Sequence, residues 1–219
     1  NGGDEQYHPL FPTQHGRPGE DNCVILSHKW YAALQSHQVK NQPAYGKNRL
    51  WQLNFEATGP PKKGTQREQL VVFAVYGYSG SSGADGAKHK ALIAALRRSI
   101  KEARIKRPWA GIVVAGDLNS VLDSLLDTDR ELAVAGQTER DHHLMTQLTG
   151  TTAAGGENLV DVLREIHPST RAWSRHPPGE SDQARRRVDN ILIDANMAAH
   201  TNLRAGVSAT PLLEGHGDH

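Results

Sequence analysis

The segment Val113-Val114-Ala115-Gly116-Asp117-Leu118-Asn119 carries an apolar run into an acid and an amide two positions apart. Alternate residues of a strand point to one side, so Asp117 and Asn119 would leave its carboxyl end together. There they could orient a water or hold a metal at the mouth of a pocket. They could equally form an Asx turn that caps the strand. A second segment, Arg185-Arg186-Arg187-Val188-Asp189-Asn190-Ile191-Leu192-Ile193, runs a basic cluster straight into a strand. An acid in an apolar run is costly to bury as an ion without a partner. Asp189 therefore calls for a histidine or arginine, or else faces water on an edge strand. The three arginines could track a phosphate backbone or form a solvated face. A third segment, Gly215-His216-Gly217-Asp218-His219, pairs an acid with an imidazole on a glycine-freed backbone, or is a loose tail.

Other chemistries fit less well. Val75-Tyr76-Gly77-Tyr78-Ser79-Gly80-Ser81 follows an apolar strand and precedes a helix, as a nucleophile elbow does, and Ser79…Asp189…His219 is a hydrolase order. The Gly-x-Ser-x-Gly pattern fails at Ser81, however, and a serine hydrolase leaves Asp117 and Asn119 unexplained. The 12 histidines contain no His-Glu-x-x-His motif and no spaced Cys/His set, which argues against a zinc enzyme. His142 and His143 read as solvated surface.

The elements that would position these residues follow from periodicity. Cys23–Leu26, Leu70–Tyr76, Gly111–Ala115 and the run Val188, Ile191–Ile193 read as strands, and Leu50–Phe55 alternates as a half-buried strand does. Apolar residues at three- and four-residue steps predict helices over about 88–106, 139–149 and 159–166. Residues 1–22 read as loop, 194–196 as the close of the last strand, Trp173 as part of a short strand, and the four tryptophans as core or boundary. Strands mixed with helices imply a layered α/β (α+β) sandwich.

Composition narrows the class. The 219 residues suit one domain, without internal repeat or linker, and residues 1–219 read as a single, incomplete domain excised from something longer. With 25 basic and 24 acidic residues the formal charge is +1, which argues against a polyanion-coating protein while leaving room for a local basic groove. The single cysteine, Cys23, excludes a disulfide framework and fits an intracellular setting. No apolar run reaches the ~18 residues of a membrane-spanning helix.

Gly-Asp-Leu-Asn after a strand, then Arg-Val-Asp entering a strand, then Asp-His, is a specific order. It resembles the endonuclease/exonuclease/phosphatase family of pancreatic DNase, abasic-site endonucleases and non-LTR retrotransposon endonucleases, the last being closest in pattern. Further segments carry the resemblance: Cys23-Val24-Ile25-Leu26-Ser27, Val75-Tyr76-Gly77-Tyr78-Ser79, and Asn158-Leu159-Val160-Asp161-Val162-Leu163-Arg164 followed by Pro168 and Trp173. The match spans about residue 17 to 219.

The resemblance implies a DNase-like sandwich of two mixed β-sheets packed face to face, with helices outside, and Mg²⁺- or Mn²⁺-dependent hydrolysis of a phosphodiester. By motif, Asp117 would activate the attacking water and touch the metal, and Asn119 would hold that water or a phosphate oxygen. Asp218 would serve the metal, His219 would donate to the scissile phosphate with Asp189 orienting it, and Tyr76 would contact the phosphate. DNA is the expected partner, nicked by an enzyme of retrotransposon type in the nucleus, with Arg185, Arg186 and Arg187 along its backbone. A phosphatase or a phospholipid phosphodiesterase acting on a lipid head group, and an inactive retroelement-derived remnant, are the alternatives. The chain departs from the pattern at Tyr78, which stands for a proline, and at Gly217, which stands for a serine. It also departs before Cys23, where the family's metal-binding glutamate has only Glu5 as a counterpart, with no apolar strand ahead of it.

Overall fold

The computed structural model of the chain describes residues 6–10, 24–57, 68–79, 83–123, 125–128, 135–174 and 186–200. Its centre is a mixed six-stranded sheet. The strands, in chain order, are β3 (Leu34–Val39), β4 (Leu50–Glu56), β5 (Gln69–Val75), β6 (Gly111–Asp117), β7 (Leu159–Asp161) and β8 (Asp189–Asp194). They lie in the order β3-β4-β5-β6-β8-β7, and only β5 and β6 run parallel. Parallel neighbours need a crossover, and here it is the helix α2 (Gly83–Lys106). A second sheet pairs β1 (Tyr7–Leu10) with β2 (Val24–Ser27), antiparallel. The other α-helices among the described residues are α1 (His28–Ala33), α3 (Ala135–Thr149), α4 (Val162–Ile166) and α5 (Ala195–His200), and this is the layered α/β sandwich.

The two faces of the six-stranded sheet bury different residues. Val71, Phe73, Val75, Ile112 and Val114 meet Leu92, Ile93, Leu96 and Ile100 of α2 and Leu144, Met145 and Leu148 of α3 in one core. Trp51, Leu53 and Phe55 of β4 turn the other way and pack with Leu10, Val24 and Leu26 of the two-stranded sheet. β4 is thus covered on both sides, with five of its seven residues buried, rather than half-buried as its alternation suggested.

Several expectations are corrected. Residues 159–161 are strand, paired to β8 from Leu159 with Asp194 to Asp161 with Leu192, and only residues 162–166 are helical. The helical spacing of Leu159 to Ile166 is met equally by a short buried strand running into a turn of helix. Within residues 1–22, Tyr7–Leu10 is β1 rather than loop. Ala195 opens α5 rather than only closing β8, and Trp173 lies outside any strand. Trp51 is fully buried, but Trp109 is 74% exposed and Trp30 47%, so two of the four tryptophans are surface groups. His142 and His143 are exposed, as read from the sequence.

Candidate active site

The parallel register Ala74 with Ala115 brings the carboxyl ends of β5 and β6 level, so Tyr76 follows one strand where Asp117 closes the other. Two glycines permit this approach. A Cβ on Gly116, whose φ is +131°, would lie 2.2 Å from the Val75 carbonyl oxygen, and one on Gly77 would lie 2.3 Å from that of Leu118. With no side chains there, the Gly77 N–H donates to the Asp117 carbonyl at 2.6 Å.

Asn119 folds back on Asp117. Its backbone N–H donates to Asp117 Oδ1 at 2.8 Å and its Nδ2 donates to Oδ2 at 2.9 Å. The first bond is an Asx turn, and Asn119 adopts the left-handed conformation, φ +46°, that asparagine tolerates. The turn and a chemical role are therefore compatible: the same two bonds fix the plane of the Asp117 carboxylate. Asn119 Nδ2 also approaches the Gly77 carbonyl at 3.4 Å.

Antiparallel pairing of β6 with β8 sets Asp189 directly opposite Asp117. Directly opposed residues place their side chains on the same face, and like charges there are unfavourable unless something cationic intervenes. Strand β8 is fixed at its start by Ser174, whose Oγ accepts from the N–H groups of Val188 and Asp189 at 3.1 and 3.0 Å.

The basic segment divides. Arg185, like Asp218 and His219, lies outside the described residues. Arg186 is half-buried and bridges Thr128. Arg187 is only 2% exposed, which corrects its expected place on DNA. It donates to Asp127 Oδ1 and Oδ2 at 2.7 and 3.2 Å, and to Asp161. Burial alone would lower its pKa, but the bonds and charges of the two aspartates outweigh it and raise the pKa, so Arg187 is a permanent interior cation. Arg164 joins the group through Asp127, and Asp161 caps α4 by accepting from Leu163 and Arg164. The Leu159–Arg164 motif and the Arg187-Val188-Asp189 strand entry thus meet in one neutral buried network that carries β8 to its place beside β6.

Two contributors, Arg49 and His89, were not read from the sequence. Arg49 donates to the carbonyls of Tyr76 and Gly77, at 3.2 and 2.6 Å, beneath the site. His89, on the buried stripe of α2, accepts at Nδ1 from the Tyr78 N–H at 3.1 Å, which leaves the ring proton on Nε2 to donate to Ser120 Oγ at 2.9 Å. Burial and then the nearby charge of Arg49 lower its pKa to about 4, so it is neutral at pH 7. The available signal was His89 itself, a polar residue in register with Leu92, Ile93 and Leu96. Among the described residues, no three acidic, imidazole or thiol groups gather into a complete metal site.

No family model and no curated protein matches this sequence. Solved structures do match its fold. The 3'-5' exonuclease NExo from Neisseria meningitidis superposes with a TM-score of 0.58 at 19% identity, covering 88% of this chain and 69% of that one. An AP endonuclease from Leishmania major gives 0.62 at 13%, covering 88% and 63%. One from Archaeoglobus fulgidus gives 0.54 at 18%, covering 88% and 68%. The chain has the exonuclease/endonuclease/phosphatase fold and spans roughly two thirds of the length of these proteins.

Proposed function

We propose that this chain is a divalent-metal phosphodiesterase that cuts DNA. The observation that carries the reading is the opposition of Asp117 and Asp189 at the carboxyl ends of β6 and β8, with Asn119 clamping the first of them. Carboxylate oxygens are hard donors, which suit Mg²⁺ or Mn²⁺ better than zinc. Asp117 would hold such an ion together with Asp218. Bound there, the ion supplies positive charge to the phosphate oxygens as negative charge grows on them.

The protein's own groups supply the rest. Asp117, its carboxylate plane fixed by Asn119, would orient a water and take its proton. Asn119 Nδ2 holds that water or a phosphate oxygen. The Tyr76 hydroxyl donates to the phosphate. Asp189 orients His219, which donates to the scissile phosphate and keeps its tautomer through that bond. The DNA-processing neighbours of this fold support DNA as substrate, among them a NExo 3' phosphatase bound to a product DNA hairpin. The retrotransposon type rests on the order of the motifs.

Nicking of supercoiled plasmid by the purified chain, with Mg²⁺ or with EDTA, tests this. Metal-dependent nicking is expected. A folded chain that releases phosphate from small phosphomonoesters but leaves plasmid intact would move the reading to a phosphatase, and one that does neither would overturn it.

A further inference from the structure

Beside the candidate site a cation lies over two aromatic rings. The Arg49 guanidinium is 4.5 Å from the ring centroid of Tyr76 and 4.0 Å from that of Tyr78, and Lys88 Nζ is 5.5 Å from the Tyr78 centroid. The assembly is held in place. Arg49 is tied to the Tyr76 and Gly77 carbonyls, and its own carbonyl accepts from the Tyr76 N–H at 2.9 Å. The Tyr78 hydroxyl donates to the Tyr45 carbonyl at 2.6 Å, and its backbone N–H is held by His89. Tyr76 remains 40% exposed, one residue beyond the strand whose register sets it level with Asp117. Tyr78 is the position at which this chain departs from the Tyr-x-Pro pattern, so the second ring is a feature of this chain and not of the motif.

Aromatic rings backed by cations in a fixed stack are what unpaired nucleotides use, because every base offers a π-face. A base inside a duplex has both faces covered by its neighbours and reaches a protein ring only when displaced. We propose that Tyr76, backed by Arg49 and Tyr78, is a stacking platform for an unpaired base flanking the scissile phosphate. Resting on the phosphodiesterase reading above, this makes DNA with a displaced or unpaired nucleotide the substrate class. Arg49 acts here as a positioning residue: its Nη1 donates to the Tyr76 and Gly77 carbonyls, and it sets the ring that receives the base.

Two fluorescein-labelled duplexes of one sequence, one fully paired and one with a single unpaired 2-aminopurine, are titrated with the whole chain in EDTA, so that no cleavage intervenes. The platform predicts about ten-fold tighter binding of the duplex with the unpaired base and quenching of the 2-aminopurine on binding. Tyr76→Phe keeps both effects and Tyr76→Leu loses both. Equal binding of the two duplexes, or an unquenched 2-aminopurine with the unaltered protein, would overturn the platform and leave the phosphodiesterase reading standing. If neither duplex is bound, the platform and the choice of DNA as substrate fall together.

Discussion

Arg187 and Asp127 form a two-point ion pair, Nε to Oδ1 at 2.7 Å and the far nitrogen to Oδ2 at 3.2 Å, with both residues shut off from solvent. The pair ties the segment after β6 to the entry of β8, since the Arg187 N–H also donates to the Asp127 carbonyl at 2.9 Å. The basic cluster thus contributes to the site chiefly by fixing where Asp189 begins.

Removing Arg187 leaves two buried aspartates, Asp127 and Asp161, with only Arg164 as a cation among them. Arg187→Met is therefore expected to cost about 3–5 kcal/mol in urea unfolding. Arg187→Lys should recover only part of this, because an ammonium cannot span Asp127 and Asp161 as a planar fork does. A loss below about 1 kcal/mol for Arg187→Met would show that the network does not anchor β8.

The approach of β5 to β6 depends on absent side chains. Gly77→Ala would drive a methyl into the Leu118 carbonyl, which is backbone and cannot swing aside. A cost of about 1–3 kcal/mol or more is expected from thermal unfolding, together with loss of the geometry between Tyr76 and Asp117. Gly116→Ala meets both a clash and a left-handed φ and should be worse. Unchanged stability in both variants would contradict the packing described.

His89 gives the fold an acid-sensitive step. Its native pKa, about 4, lies below the ordinary 6.5 because burial disfavours the charged ring and Arg49 adds to that. Between those values the unfolded chain takes up a proton that the native chain does not. Stability is therefore complete above about pH 6.5, falls as the pH drops, and levels off below about pH 4, for a total of about 3 kcal/mol. His89→Gln, which can still accept from Tyr78 and donate to Ser120, should flatten the stability profile across that window. A profile that keeps its slope in the variant would assign the step to another group.

Much of this arrangement was legible in the sequence, and its limits have physical causes. Strands β5 and β6 declared themselves as unbroken apolar runs, and helix α2 as a long, strongly periodic one. Asp117 and Asn119 stood out as poor strand formers ending an apolar run. β3, Leu34–Val39, was missed because its inner four residues are exposed and it is held by hydrogen bonds to β4 rather than by an apolar face. Arg187 was misassigned to DNA because its partners, Asp127 and Asp161, are remote in the chain, and only the tertiary fold turns a basic run inward. Arg49 was invisible because what it binds is backbone, which any sequence provides, and His89 gave only its place on the apolar stripe of α2 as a signal.

In the proposed mechanism Asp117, clamped by Asn119 at the end of β6, activates the attacking water. The direct measurement compares Mg²⁺-dependent nicking of supercoiled plasmid by the unaltered chain and by Asp117→Asn, with the melting temperature of each recorded. A loss of about 10²- to 10⁴-fold in kcat/KM is expected, with the fold retained. An Asp117→Asn protein that stays folded and nicks at the original rate would contradict it.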